Sequence, residues 1–471
     1  MPDTTPPGEA SIKALVAAAV ADLQRLVKAQ IALAKLELQQ TGRAAGKTGI
    51  FLVSALSMAA LGGIFLLVTL AYVLVALGLP VWAGFGIVTL VLFIAAAILG
   101  LLGIPGGPGA LDQEHMASAV QGVAQASGAE GGDQDYTVYP ALQPKQGEYN
   151  EELLDGLDFL LAELGKRNMD AVLYLNNNWE WSGGMAKYLE WNGKGVVPNP
   201  NIKPNTWPQF MEYTSKFHTC EPCKEAFKKH IEFILTRTNS YTNKKYTEDS
   251  AIMAWQVANE PRVFTKENEA AFTKWLNEVV DLIDQLDPNH LISTGSEGKA
   301  GSNDDLYTFE RTHNNPKIDY LTMHTWPKNW GWYKIENEIE STPEAISKTI
   351  NYIDEHIAIA KKLKKPIVLE EFGYPKEKEN LSKTASTLYR DKFYKAVFDR
   401  LEKSVKNKEN FVGLNFWGYG GIGKNNPENG KWNKGDDFTA DPPQEPQGLN
   451  SVFSTDKSTL DLIKEYNQKI Q

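Results

Sequence analysis

A chain of 471 residues is long enough for one large barrel plus a smaller appendage. Its net charge of -10 with 10% aromatic residues is the wrong sign for a phosphate backbone and suits neutral sugars, so nucleic acid is excluded as a partner. Six basic and six acidic residues cancel before Gly128, so the whole acidic excess lies C-terminal to it.

Taken in chain order, the first predicted element is an amphipathic helix over 12–40. It places Ile12, Leu15, Val16, Ala19, Leu23, Leu26 and Val27 on one face. From Thr48 to Leu111 there is no charged residue. Gly49–Leu77 and Val81–Ile104 each exceed the roughly 20 apolar residues that span a bilayer, and Gly78-Leu79-Pro80 joins them in a turn. Two transmembrane helices are therefore expected, with membrane contact through residues 49–104. Lys35, Arg43 and Lys47 beside the first span put both ends of this hairpin in the cytoplasm. The layout of residues 1–125 resembles the small actinobacterial holin-X membrane proteins, which implies a membrane localisation for the whole chain.

Composition changes abruptly after this region. The first Asn is Asn150, and 11 of the 12 Trp lie beyond Gly128. Short apolar runs then alternate with helical stretches, the pattern of βα units and a parallel sheet. Strands are predicted at Ala171–Leu175, Ile252–Val257, Leu291–Thr294, Tyr320–Met323, Ile367–Leu369 and Val412–Phe416. Each runs directly into polar or aromatic residues, as strands do at the catalytic face of a (β/α)8 barrel. Two of these ends carry carboxylates, in Asn259-Glu260-Pro261 and Glu370-Glu371-Phe372-Gly373. Double displacement at a β-glycosidic bond needs two such groups, one protonated to give a proton to the leaving oxygen and one ionised to attack.

The remaining chemistry-bearing residues are less decisive. Cys220 and Cys223 leave open a zinc site with His218 or His230, a local disulfide, or free loop thiols. Asp436, Asp437 and Asp441 read as a solvated loop, because no EF-hand spacing occurs. No metal and no cofactor is called for.

Five segments carry a family resemblance: Trp255–Arg262, Val368–Pro375, Asn176–Met185, His324–Trp332 and Asp441–Asn450. Through them residues 128–471 resemble glycoside hydrolase family five, and within it the bacterial β-mannanases. The resemblance implies a secreted parent enzyme cutting β-1,4-mannan with retention, with an endo-β-1,4-glucanase as the alternative. It implies Glu260 as acid/base and Glu371, rather than Glu370, as nucleophile. Asn259, His324 and Trp417 take active-site positions, and Asn177, Trp179, Trp181, Trp326, Trp330 and Trp332 join them as candidate sugar contacts. Trp326 stands where many relatives carry a Tyr that hydrogen-bonds the nucleophile.

Six strand ends are visible where the barrel needs eight. The Gly131–Gly147 stretch resembles the loop after the second strand, so the fold expected is a (β/α)8 barrel lacking its first two strands, together with the Arg that supports the nucleophile. An artefactual fusion accounts for the missing strands, the compartment and the composition break together. On that reading the chain is an inactive chimera whose working part is the membrane segment. Oligomeric state is not legible.

Overall fold

The computed structural model describes residues 136–470. The chain divides into two units, Met1–Gly107 and Pro108–Gln471, and every described residue belongs to the second. The helix expected at 12–40 and the spans expected at 49–77 and 81–104 lie outside the described residues. Among the described residues, no helix is long and apolar enough to cross a membrane.

Helix α1 (Glu151–Lys166) leads into β1 (Ala171–Tyr174), and α2 (Gly184–Trp191), α3 (Trp207–Ser215) and α4 (Glu221–Leu235) separate it from β2 (Ile252–Gln256). Single helices then alternate with strands: α5 (Glu269–Leu286), β3 (Leu291–Ser293), α6 (Leu306–Thr312), β4 (Leu321–Thr325), α7 (Glu338–Leu363), β5 (Ile367–Phe372), α8 (Leu388–Asn407) and β6 (Phe411–Leu414). A small parallel pair, β7 (Tyr419–Gly421) with β8 (Val452–Phe453), and helix α9 (Lys457–Ile470) complete the described chain.

Every strand expected from the apolar runs is present, displaced by at most a few residues. Strands β1-β2-β3 form one parallel sheet and β4-β5-β6 another. The two are joined across β3 and β4, where the Asp319 amide donates to Ile292 O at 2.9 Å and the His324 amide to Glu297 O at 3.1 Å. Among the described residues β1 pairs only with β2 and β6 only with β5. All four residues of β1 are half-buried and Val412 in β6 is 51% exposed, so these two strands are less covered than β4, which is buried throughout.

The helices form where apolar residues recur at intervals of three and four. In α5, Phe272, Trp275, Leu276, Val279, Val280 and Ile283 are buried on one face. Burial of each such side chain stabilises by about 1.5–3 kcal/mol before ordering costs are counted. Side chains cap the ends: Asn150 accepts from the Glu152 amide ahead of α1, and Asp305 accepts from the Tyr307 and Thr308 amides ahead of α6. Trp255 of β2 is fully buried and donates its indole N–H to Asp287 at 2.7 Å, tying the sheet to the end of α5.

Cys220 and Cys223 are joined as a local disulfide at the start of α4. Asp441 is not part of a solvated loop, for it is fully buried and accepts from the Gly448 and Asn450 amides and the Ser451 hydroxyl at 2.7–2.9 Å. Three donors replace the water that its carboxylate gives up, which the spacing of acidic residues does not reveal.

Candidate active site

The strand ends build the site. Gln256 ends β2, and the chain then turns so that Glu260 lies at φ +51, an unusual conformation for a residue with a side chain. Two backbone bonds hold it there, from the Asn259 amide to Asn176 O at 2.8 Å and from the Glu260 amide to Gly295 O at 2.9 Å. Across the site, β5 carries Glu370 and Glu371 on successive positions, so they point to opposite sides. Glu371 lines the cleft, whereas Glu370 accepts from the Gln256 amide group at 2.5 Å.

His324, near the end of β4, connects the carboxylates. Its Nδ1 lies 2.7 Å from Glu260 Oε1 and 3.4 Å from Glu371 Oε2, and its Nε2 lies 3.9 Å from Glu370 Oε2. One ligand atom from each of Glu260, His324 and Glu371 falls within 4.8 Å of the other two. Burial alone would lower the pKa of the imidazole. The Glu371 carboxylate, the hydrogen bond to Glu260 and the nearby Glu370 outweigh it and raise the pKa well above the ordinary value.

The two carboxyls share a crowded, dry site and separate in proton affinity. Burial pushes Glu371 up to about 8, opposed by His324 and reinforced by Glu260, Glu370 and Glu297. Burial pushes Glu260 the same way. The hydrogen bond and charge of His324, the Arg262 charge and the Trp179 N–H at 2.5 Å together bring Glu260 below the usual range. Of the two carboxyls, Glu371 therefore keeps its proton to the higher pH. Among the described residues, no side chain donates a hydrogen bond to it.

The cleft has a volume of about 1220 Å³ and is lined by Trp179, Trp181, Trp207, Trp326, Trp330, Trp332 and Trp417 with Asn259, Glu260 and Glu371. Trp326 and Trp417 meet edge to face at 6.2 Å, and Trp326 packs on the bare face of Gly373, where a methyl group would approach its ring to 2.6 Å. Asn177 and His324 do not line the cleft. They are buried behind it, Asn177 accepting from the Asn259 side chain at 3.2 Å and His324 holding the carboxylates.

Several polar residues that the sequence did not single out also contribute. Arg262 makes a two-pronged bond to buried Glu297 at 2.6 and 2.7 Å, and its guanidinium lies over the Trp179 ring at 4.8 Å. On the other wall Asn329 donates to Glu445 at 3.0 Å. Arg262, Asn329 and Glu445 stand inside the segments Trp255–Arg262, His324–Trp332 and Asp441–Asn450, and Glu297 follows the end of β3; that placement is the one signal that could have found them.

The family model described as "GH family 5 beta-mannosidase-like" matches residues 113–471. This chain belongs to glycoside hydrolase family 5. The family 5 domain is 32% identical to the glycoside hydrolase family 5 mannosidase from Rhizomucor miehei, covering 76% of this chain and 88% of that one with a TM-score of 0.66. It is 25% identical to the endo-beta-1,4-mannanase from Thermotoga petrophila, over 70% of this chain and 66% of that one, with a TM-score of 0.51. Mannan endo-1,4-beta-mannosidase 1 of Arabidopsis thaliana is 29% identical over 318 residues, 64% of this chain and 70% of the plant protein. The chain spans 77% of one plant relative's length but only 62% of another's. The (β/α)8 barrel is the fold of this family 5 domain. Residues 13–110 match the actinobacterial Holin-X model of holin superfamily III.

Proposed function

We propose that the family 5 domain is a retaining, endo-acting hydrolase of β-1,4-mannan, with Glu260 as acid/base and Glu371 as nucleophile. The supporting observation is the meeting of Glu260, Glu371 and His324 within 4.8 Å at the floor of an aromatic cleft. That proximity suits the retaining geometry, in which the carboxyls stand about 5–5.5 Å apart with no room for a water between.

Glu371 attacks the anomeric carbon while Glu260 gives its proton to the glycosidic oxygen, breaking the carbon–oxygen bond and leaving a glycosyl ester. Glu260 then takes a proton from water as that water attacks the same carbon and releases Glu371. Asn259 is assigned to the 2-hydroxyl side of the sugar. Trp417 stacks beneath it, and Trp179, Trp181, Trp326, Trp330 and Trp332 supply apolar surface along the chain. Asn177 and His324 position these groups from behind. Attack requires the proton to pass from Glu371 to Glu260 before the bond breaks.

A β-mannosidase that removes single mannose units is the second reading. It is favoured by the description of the matched family and by the name of the Rhizomucor relative. Products of mannohexaose separate the two: a ladder of oligosaccharides supports endo cleavage, and mannose alone overturns it. Equal or greater release of reducing ends from a β-1,4-glucan would overturn the choice of mannan.

We read the barrel as lacking its first two strands, because β1 and β6 have no outer partner among the described residues. The division proposed is a holin-like membrane region over residues 1–125 and the hydrolase over 128–471, with the chain held at the membrane through 49–104 and its catalytic parent secreted. A fusion of two unrelated genes explains that combination. An intact source-DNA amplicon across the codons for Gln125–Gly132, with uniform base composition on both sides, would sink that explanation.

A further inference from the structure

Beyond Trp179 the cleft continues to a group that the two-carboxylate chemistry does not use. Asn201 lines the cleft, and its amide nitrogen donates to Glu180 Oε1 at 2.7 Å and to Asn199 Oδ1 at 3.2 Å. Both acceptors are buried, Glu180 at 2% and Asn199 at 1% exposure. A side-chain amide has one nitrogen and one oxygen, and here the nitrogen is fully engaged on the inner side. Among the described residues nothing donates to its Oδ1 oxygen, the group left to meet a donor from the cleft. Beside it Trp181 also lines the cleft, and Trp207 is 44% exposed there and meets Trp179 edge to face at 5.8 Å. Trp179 in turn donates to Glu260, so this patch lies on the Glu260 side of the cleft.

We propose that Asn201 and Trp207 form a distal sugar subsite, in which the Asn201 oxygen accepts a hydroxyl hydrogen of a neutral hexose stacked on Trp207, and Glu180 positions the amide. An exposed ring beside an oriented acceptor fits a sugar, whose faces are apolar and whose rim donates. Glu180 touches no substrate and acts through Asn201. Its Oε2 has no hydrogen-bond partner among the described residues, so the carboxylate is kept at this buried position with only one oxygen satisfied.

The inference rests on the mannan reading, and calorimetric binding of mannohexaose and mannobiose separates the two. The full chain is used in a Glu371→Gln background so that the ligand is not consumed. Asn201→Ala is expected to weaken mannohexaose binding roughly tenfold, the equivalent of one lost hydrogen bond. Mannobiose bound at the cleavage point should change less than twofold. Glu180→Gln keeps an acceptor for the Asn201 amide and should bind as the parent does, whereas Glu180→Leu frees the amide and should match Asn201→Ala. Because Glu180→Leu could also disturb folding, Asn201→Asp is the second variant, placing an oxygen against Glu180 and weakening mannohexaose binding at least as much as Asn201→Ala. Unchanged mannohexaose affinity in both Asn201 variants overturns the subsite while leaving the mannan reading intact. No binding of either sugar by the parent overturns both.

Discussion

At the scale of single residues, the unusual feature is where the proton sits. Glu371 is held up to about 8 while Glu260 is held low, the reverse of the roles proposed for them. The reactive form, protonated on Glu260 and ionised on Glu371, is then a minor species, and its share peaks between the two values. The expected kcat/KM profile on mannan is a bell whose alkaline limb falls near pH 8. A limb two units higher would contradict the crowding of carboxylates described above. The same group sets a stability trend. Because its folded pKa lies above its unfolded one, its contribution is intact below about pH 4.5 and is lost as pH rises through about 8. Glu371→Gln should therefore raise the melting temperature by several degrees at pH 9 and leave it unchanged at pH 4. On an aryl β-mannoside whose leaving group needs no proton, Glu260→Ala should keep a glycosylation step that Glu371→Ala loses; matched losses would undo the two assignments.

At the scale of elements, the loops after the strands are held by backbone fit and buried charge. Gly295 has φ +74, and a methyl group there would stand 1.9 Å from Ala258 O, in the turn whose carbonyl fixes Glu260. Gly295→Ala should displace Glu260 and lower kcat by about 100-fold, with circular dichroism checking that the domain still folds. On the far side, Asp456 joins Lys376 at 2.6 Å and Arg390 at 3.3 Å, all three buried, while Arg390 also donates to the carbonyls of Tyr374, Leu449 and Ser451. That cluster fastens the Asp441–Asn450 loop to the end of β5. Asp456→Asn leaves two buried cations short of a counter-charge and should cost about 3–5 kcal/mol in urea unfolding. The strands were legible because each apolar run ends at once in polar residues. The contacts between the loops were not: Arg262–Glu297, Asn201–Glu180 and Asn329–Glu445 lie 35, 21 and 116 residues apart, and no local pattern marks a pair that only the barrel brings together.

At the scale of the whole molecule, six described parallel strands leave two outer edges without a described partner, β1 on one side and β6 on the other. An open edge exposes backbone donors and acceptors and half-buried apolar side chains to water, which costs stability and invites pairing with other chains. Joining the first two βα units of a complete family 5 relative ahead of Gly128 should raise both the melting temperature and turnover on mannan. An unchanged melting temperature would show that the edges are already satisfied. Membrane fractionation of the full chain should place mannan-binding protein in the pellet.

The sequence by itself determined the positions of the six strands, the placing of Glu260 and Glu371 at the ends of two of them, and the apolar segment ahead of Gly128. Each is a local signal of periodicity, strand-end chemistry or unbroken hydropathy. Only the tertiary structure decided that His324 lies behind the cleft between two carboxylates, that Asp441 is a buried hub, that Cys220 and Cys223 are bonded, and which of the two carboxyls has the higher proton affinity. Those outcomes depend on burial and on charges contributed by separate strands, and both exist only once the strands are side by side.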